Sequence, residues 1–207
     1  KLRVAVLKHV CLQGHLDQTF GATNKEMRPS FEGVNFSSRM IEANVKNLYK
    51  TIEGLRYCPK GSVWGDYESC NSYTADDSAV KEAFITAAIK QLQPKRLVDL
   101  GGNTGAYSLP ISGLVEQIIC LDIDPVAINR LYKKLKDDGI GNVVPVVGNL
   151  LEPTPAMGWS LRERASLLDR IQCDGFLALA LVHHICIGGN VPVSHLVDLL
   201  REIAPTG

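Results

Sequence analysis

The sequence predicts an α/β chain built on a doubly wound, mostly parallel sheet, preceded by a mostly helical N-terminal cap. Three observations carry this. Apolar runs at Leu97–Leu100, Ile118–Leu121, Val143–Val147 and Gly175–Val182 alternate with segments of helical periodicity. Strands that are apolar throughout, with helices between them, belong to a parallel sheet covered on both faces. The first run also carries Asp99 and opens into the glycine-rich turn Gly101-Gly102-Asn103-Thr104-Gly105. A strand feeding such a turn, with a helix expected after it, is the usual opening of this fold class.

Each element has its own warrant. From Ser38 to about Arg56, Ile41, Val45, Leu48, Ile52 and Leu55 recur at steps of three and four, which predicts a helix with one apolar stripe packed on the main domain. Residues 57–75 form a loop carrying Trp64, Tyr67 and Tyr73, aromatics that either dock the loop on a core or wall a pocket. A second helix is expected from about Asp76 to Gln91, with Val80, Phe84, Ala88 and Leu92 as its buried face and Lys81 off that face; Pro94 stops it. After the strand ending at Asp122, Asp124 is placed to cap a helix with Pro125 at its first position. Pro145 inside the third strand suits a sheet edge. The fourth run, Gly175–Val182, reads as a central strand covered on both faces, and a last helix runs from about Pro192 to Ile203. The division expected is a cap over residues 1–74 and a sheet domain over residues 75–207.

The totals exclude several classes. The 207 residues suffice for one sizeable α/β domain and a smaller appendage. Lys+Arg and Asp+Glu both number 22, so there is no basic excess of the kind a duplex nucleic-acid binder shows. No apolar stretch reaches spanning length, and the six cysteines form no Cys-x-x-Cys pair, which suits reduced thiols and a cytoplasmic protein. Cys11 and His15 have no matching ligand pair nearby, so no metal is expected.

In a sheet of this class a ligand lies at the carboxyl ends of the strands. Gly101 and Gly105 let a ligand rest against bare backbone, Gly102 adds to the turn, and Asn103 tolerates positive φ. Asp122 falls about 20 residues after Gly101, where a carboxylate accepts ribose hydroxyls; Ile123 follows it. Asn149 and Leu150 sit at the end of the third strand, where the Asn149 amide oxygen can accept from a ligand. The same Asn149 reads equally as a turn residue. His183 and His184 lie at the fourth strand end: one is a possible general base, or one alternates into the core.

The Asp-x-Gly-x-Asn-x-Gly spacing of 99–105 resembles motif I of the class I S-adenosylmethionine-dependent methyltransferases, with Asn103 in place of the middle glycine. It does not supply the Gly-x-Gly-x-x-Gly of a NAD site, since the last place falls on Ala106 or Tyr107. Further along, Gly158-Trp159, Glu163-Arg164, Leu179–His184 and Asn190-Val191-Pro192 are similar to a bacterial group of these enzymes with nodulation-associated members. The resemblance implies a Rossmann-like methyltransferase sheet and S-adenosylmethionine as cofactor, with Asp99 facing the ammonium of its methionine end, Asn149 meeting the adenine amino group and the Leu150 N–H a ring nitrogen. It implies methyl transfer to an O, N or C acceptor of unidentified nature; the aromatics Trp64, Tyr67 and Tyr73 of the N-terminal cap, outside the resemblance, are candidates for the acceptor wall. It also implies a further strand after Ala204-Pro205-Thr206-Gly207, so the sheet is expected to be clipped after its fourth strand. The alternatives are a non-catalytic S-adenosylmethionine-binding or interaction module and, more remotely, a NAD-dependent oxidoreductase.

Overall fold

The computed structural model describes residues 38–57 and 75–205. The chain divides into two units, Lys1–Cys58 and Pro59–Gly207. In the first, helix α1 (Ser38–Glu53) forms as the periodicity requires, with the Glu42–Lys46 ion pair one turn apart. Its stripe of Ile41, Val45, Leu48 and Ile52 has no cover within this helix's own unit among the described residues.

The second unit is the sheet domain. Helix α2 (Ala75–Leu92) leads into β1 (Arg96–Leu100), followed by β2 (Gln117–Asp122), α3 (Pro125–Asp137), β3 (Val143–Val147), the short α4 (Leu167–Arg170), β4 (Gly175–Leu177) and α5 (Val193–Ile203). The four strands are parallel, in the order β3-β2-β1-β4. This is the doubly wound, Rossmann-like sheet that the alternation predicts, with β3 and its Pro145 at one edge.

Side chains alternate across the sheet and split the core in two. Leu97, Ile118, Cys120 and Val143 pack with Ile85 and Ile89 of α2 and Leu131 and Leu135 of α3. Val98, Leu100, Ile119 and Leu121 pack on the other face with Leu167, Ile171 and Ile203. Leu131 and Ile118 are fully enclosed, and burying side chains of this size stabilises by about 1.5–3 kcal/mol each. Asp124 caps α3 by accepting from the Val126 N–H at 2.8 Å, with Pro125 opening the helix. Asp174 accepts from the N–H groups of Lys95 and Arg96, which fixes where β4 meets β1.

Three expectations are corrected. Helix α2 buries Ile85 and Ile89, each 3% exposed, while Val80, Phe84 and Leu92 are at least 70% exposed. The helix spreads its apolar and its charged residues round the circumference with no single stripe, so periodicity alone did not choose its face. No regular α-helix follows the glycine turn; irregular turns run to a single 3-10 turn at Ser112–Leu114. Pro110 lacks an N–H and restricts Leu109 before it, which breaks a helical ladder there. Finally, β4 ends at Leu177, is only partly covered, and is an edge of the described sheet. Ala180 takes φ 55°, which carries the chain out of the sheet and into a helical turn.

Candidate functional site

The carboxyl ends of the strands frame a cavity of about 280 Å³, just under the usual range of small-molecule sites. Its wall brings together Gly101 and Asn103 after β1, Asp122 and Ile123 after β2, Gly148, Asn149, Leu150 and Leu151 after β3, and Leu179, Ala180, Leu181, His184 and Ile185 after β4. Of the residues expected at the site, Gly101, Asn103, Asp122, Ile123, Asn149, Leu150 and His184 meet here. Asp99, Gly102, Gly105 and His183 are not among the lining residues. Trp64, Tyr67 and Tyr73, like Cys11 and His15, lie outside the described residues.

Backbone geometry builds the turn. Gly101 (φ 78°) and Asn103 (φ 50°) both occupy the left-handed region, and the Gly101 and Gly102 N–H groups donate to the Leu121 carbonyl. This holds the turn against the end of β2. Gly105 has φ 79°, and a Cβ there would sit 2.7 Å from Leu131 Cδ1. Packing on α3 and the positive φ both call for glycine here.

Asp122 is the polar centre of the cavity. One carboxylate oxygen accepts from the Asn103 N–H at 2.9 Å, and the other from the Asp124 N–H at 2.8 Å. Burial nevertheless raises its pKa above the usual carboxylate value, against those two bonds. Each oxygen keeps a lone pair, so the carboxylate can accept two further donors from a ligand, as a ribose diol would offer.

Asn149 turns out to be a turn residue that also lines the cavity. Its side-chain oxygen accepts from the Leu151 N–H at 3.0 Å, an Asx turn. His184 opens a π-helical turn, His184–Gly188, and His183 precedes it. Neither histidine enters the core: both are exposed, with ring centroids 4.1 Å apart, and only His184 reaches the cavity. The strand that would have alternated them ends six residues before His183.

Asp99 points away from the cavity. It is 1% exposed, on the α2 face of the sheet, and accepts from the Ser108 hydroxyl at 2.6 Å. Burial pushes its pKa up to about 6, opposed by the Ser108 hydrogen bond and by Lys81 and reinforced by Asp122. Expected to face a ligand's ammonium, Asp99 is instead buried beneath the turn and is not among the residues that line the cavity. A Cβ on Gly102 would be 2.8 Å from this carboxylate and would overlap Cys120 Sγ.

Sequence reasoning missed the apolar part of the wall: Leu121, Leu151, Leu179, Leu181 and Ile185. The apolar run through Val182 masked the point where the chain leaves the sheet, and only the positive φ at Ala180 reveals it. It also missed a pinned arm after β3. Met157 and Arg164 form an antiparallel bridge, Gly158 has φ 84°, and Trp159 at its tip is 85% exposed.

This sheet order, with an acidic residue and glycine turn on β1 and a carboxylate ending β2, defines a Rossmann-like, nucleoside-binding type of α/β domain. The chain is similar to the nodulation protein NoeA of Rhizobium meliloti, 34% identical over 169 residues, covering 81% of this chain and 35% of that protein. It is 26% identical over 113 residues to the 23S rRNA (uracil(1939)-C(5))-methyltransferase RlmD of Methylococcus capsulatus, covering 49% of this chain and 26% of that one. The chain thus spans about a third or less of the length of these curated relatives. Among solved structures, the bifunctional kinase-methyltransferase WbdD aligns over 77% of this chain and 33% of its own, at 16% identity and a TM-score of 0.47. No protein-family model matches the chain. Among the described residues, no helix is long and apolar enough to cross a membrane.

Proposed function

We propose that this domain binds S-adenosylmethionine at the carboxyl ends of β1–β4 and serves methyl transfer to an O, N or C acceptor. The observation that carries the reading is Asp122. Its carboxylate is held by two backbone N–H groups in the wall of a cavity, with lone pairs left for two hydroxyls. Ile123, Leu150 and Leu151 supply an apolar wall for a purine, and the positive φ at Gly101 and Asn103 exposes backbone to the ligand. The similarity to RlmD, a methyltransferase by name, supports the same reading.

When bound, the cofactor supplies an electrophilic methyl group on a sulfonium. This chain's residues then have three tasks: fix the nucleoside, exclude water, and align an acceptor with the S–CH3 bond. Asp122 and the glycine turn perform the first, and Leu179, Leu181 and Ile185 the second. His184 is the titratable side chain at the β4 end of the cavity and is placed to accept a proton from an O or N acceptor. A thermal-shift panel tests the reading. S-adenosylhomocysteine should raise the melting temperature and NAD should not, since a ligand that binds only the folded state stabilises it. The reverse order would replace methyl transfer with nicotinamide chemistry.

A further inference from the structure

Beneath the glycine turn lies a polar group that does not line the cavity. Asp99 and Ser108 are both fully buried, and their 2.6 Å hydrogen bond joins two strictly internal side chains. An internal carboxylate and hydroxyl are costly to desolvate, and packing does not need them: an apolar pair of the same shape would fill the space. Their position is what they offer. The carboxylate lies 2.8 Å from where a Cβ on Gly102 would stand, and Gly102 sits between Gly101 and Asn103, which both line the cavity.

We propose that Ser108 is a positioning residue for the ligand site: by donating to the Asp99 carboxylate that lies under Gly102, it keeps a negative charge directly beneath the turn. The inference rests on the cofactor reading above and adds a residue to it. The groups facing Asp99 are few. From α2 comes Lys81, whose ammonium lies 4.5 Å from the centre of the Tyr107 ring and lowers the Asp99 pKa. From β2 come Asp122, which raises it, and Cys120, whose thiol burial and Asp99 itself push far above the usual thiol range. Leu177 of β4, opposite Asp99 in the register, brings no titratable group. Ser108 is the hydrogen-bond donor among them, so its hydroxyl stabilises the charged form of Asp99.

The consequence is a pH dependence that packing alone would not produce. Losing the Ser108 hydroxyl should move the Asp99 titration upward by about one pH unit, because hydrogen bonds to charged groups are among the stronger ones. The test is calorimetric binding of S-adenosylhomocysteine and S-adenosylmethionine to the full chain across pH, for wild type, Ser108→Ala, Asp99→Asn and the double variant. The titration of the Asp99 carboxyl is followed by carbon NMR in the unliganded wild type and Ser108→Ala. Ser108→Ala should weaken S-adenosylmethionine binding by about threefold or more near pH 6.5 and leave it close to wild type near pH 8.5, with the carboxyl midpoint raised. In the Asp99→Asn background the same substitution should change nothing further.

A Ser108→Ala variant that loses affinity equally at both pH values, or an unmoved carboxyl midpoint, overturns the inference and makes Ser108 a packing residue. If Ser108→Ala does not fold, additivity of the Ser108→Thr and Asp99→Asn effects on the same pH profile overturns it, and non-additivity supports it. Failure of the wild type to bind either ligand at any pH overturns the cofactor reading instead, which is a separate result.

Discussion

The Asn103 N–H donates to Asp122 Oδ2 at 2.9 Å, so the turn after β1 and the end of β2 are one rigid piece. A left-handed residue and a strand-end carboxylate, 19 positions apart, hold each other before any ligand arrives. The cavity polarity that the proposed function needs is therefore preorganised.

Replacing Asp122 tests that piece. Asp122→Ala removes both the acceptors offered to a ribose and the two clamps on the Asn103 and Asp124 N–H groups. S-adenosylhomocysteine affinity measured by calorimetry should fall at least about tenfold, since a good charged hydrogen bond is worth roughly 1.5–3 kcal/mol. Asp122→Asn keeps one acceptor oxygen and should fall in between. Retained affinity in the alanine variant would remove the ribose role.

Gly102 is restricted from below. A methyl group there would overlap Cys120 Sγ and crowd the Asp99 carboxylate, neither of which can swing away because both are buried. Gly102→Ala should cost about 1–3 kcal/mol of stability in denaturant unfolding, the usual range for overpacking. Cys120→Ala should recover part of that loss in the double variant. Simple additivity of the two costs would show that the methyl group finds room elsewhere.

The alternation of strands and helices, the Asp124–Pro125 helix start and the edge position of Pro145 were all legible from residue pattern, because each rests on local backbone chemistry. The turn at Gly101–Gly105 and the carboxylate at Asp122 were legible for the same reason. What was not legible depends on direction. Asp99 stands one residue from the glycine turn, yet strand alternation turns it toward α2 and Ser108, and chain spacing does not say which face holds the ligand. The histidine pair was misplaced because an apolar run can outlast its strand: Leu179 and Leu181 continue the pattern of β4 while lining the cavity from outside the sheet.

Asp99 predicts a pH signature in stability. Its folded pKa of about 6 lies above the ordinary 3.8, so the folded state binds this proton more tightly than the unfolded chain. The stabilising contribution is complete below about pH 3.8 and is lost as pH rises through about 6. Against Asp99→Asn, which does not titrate, wild-type stability should therefore decline by up to about 3 kcal/mol between those limits and run parallel above them. Urea unfolding of both proteins across pH measures it. A difference that stays constant with pH would mean that the carboxyl titrates normally in the fold.

The orientation of α2 gives the last prediction. Ile85 and Ile89 reach the sheet, while Val80 and Phe84 project outward from the same helix, although all four are apolar. Ile85→Ala should leave a cavity against Leu97 and Ile118 and cost about 2–5 kcal/mol. Phe84→Ser and Val80→Ser remove side chains that are at least 70% exposed, and such surface changes stay within about 0.5 kcal/mol. The three values come from one set of denaturant titrations. A large loss for Phe84→Ser with a small one for Ile85→Ala would restore the face that periodicity first suggested, and would turn Lys81 away from Tyr107 and Asp99. The predicted contrast, a costly Ile85 beside a silent Phe84, keeps Lys81 on the buried side, where its charge bears on the carboxylate under the glycine turn.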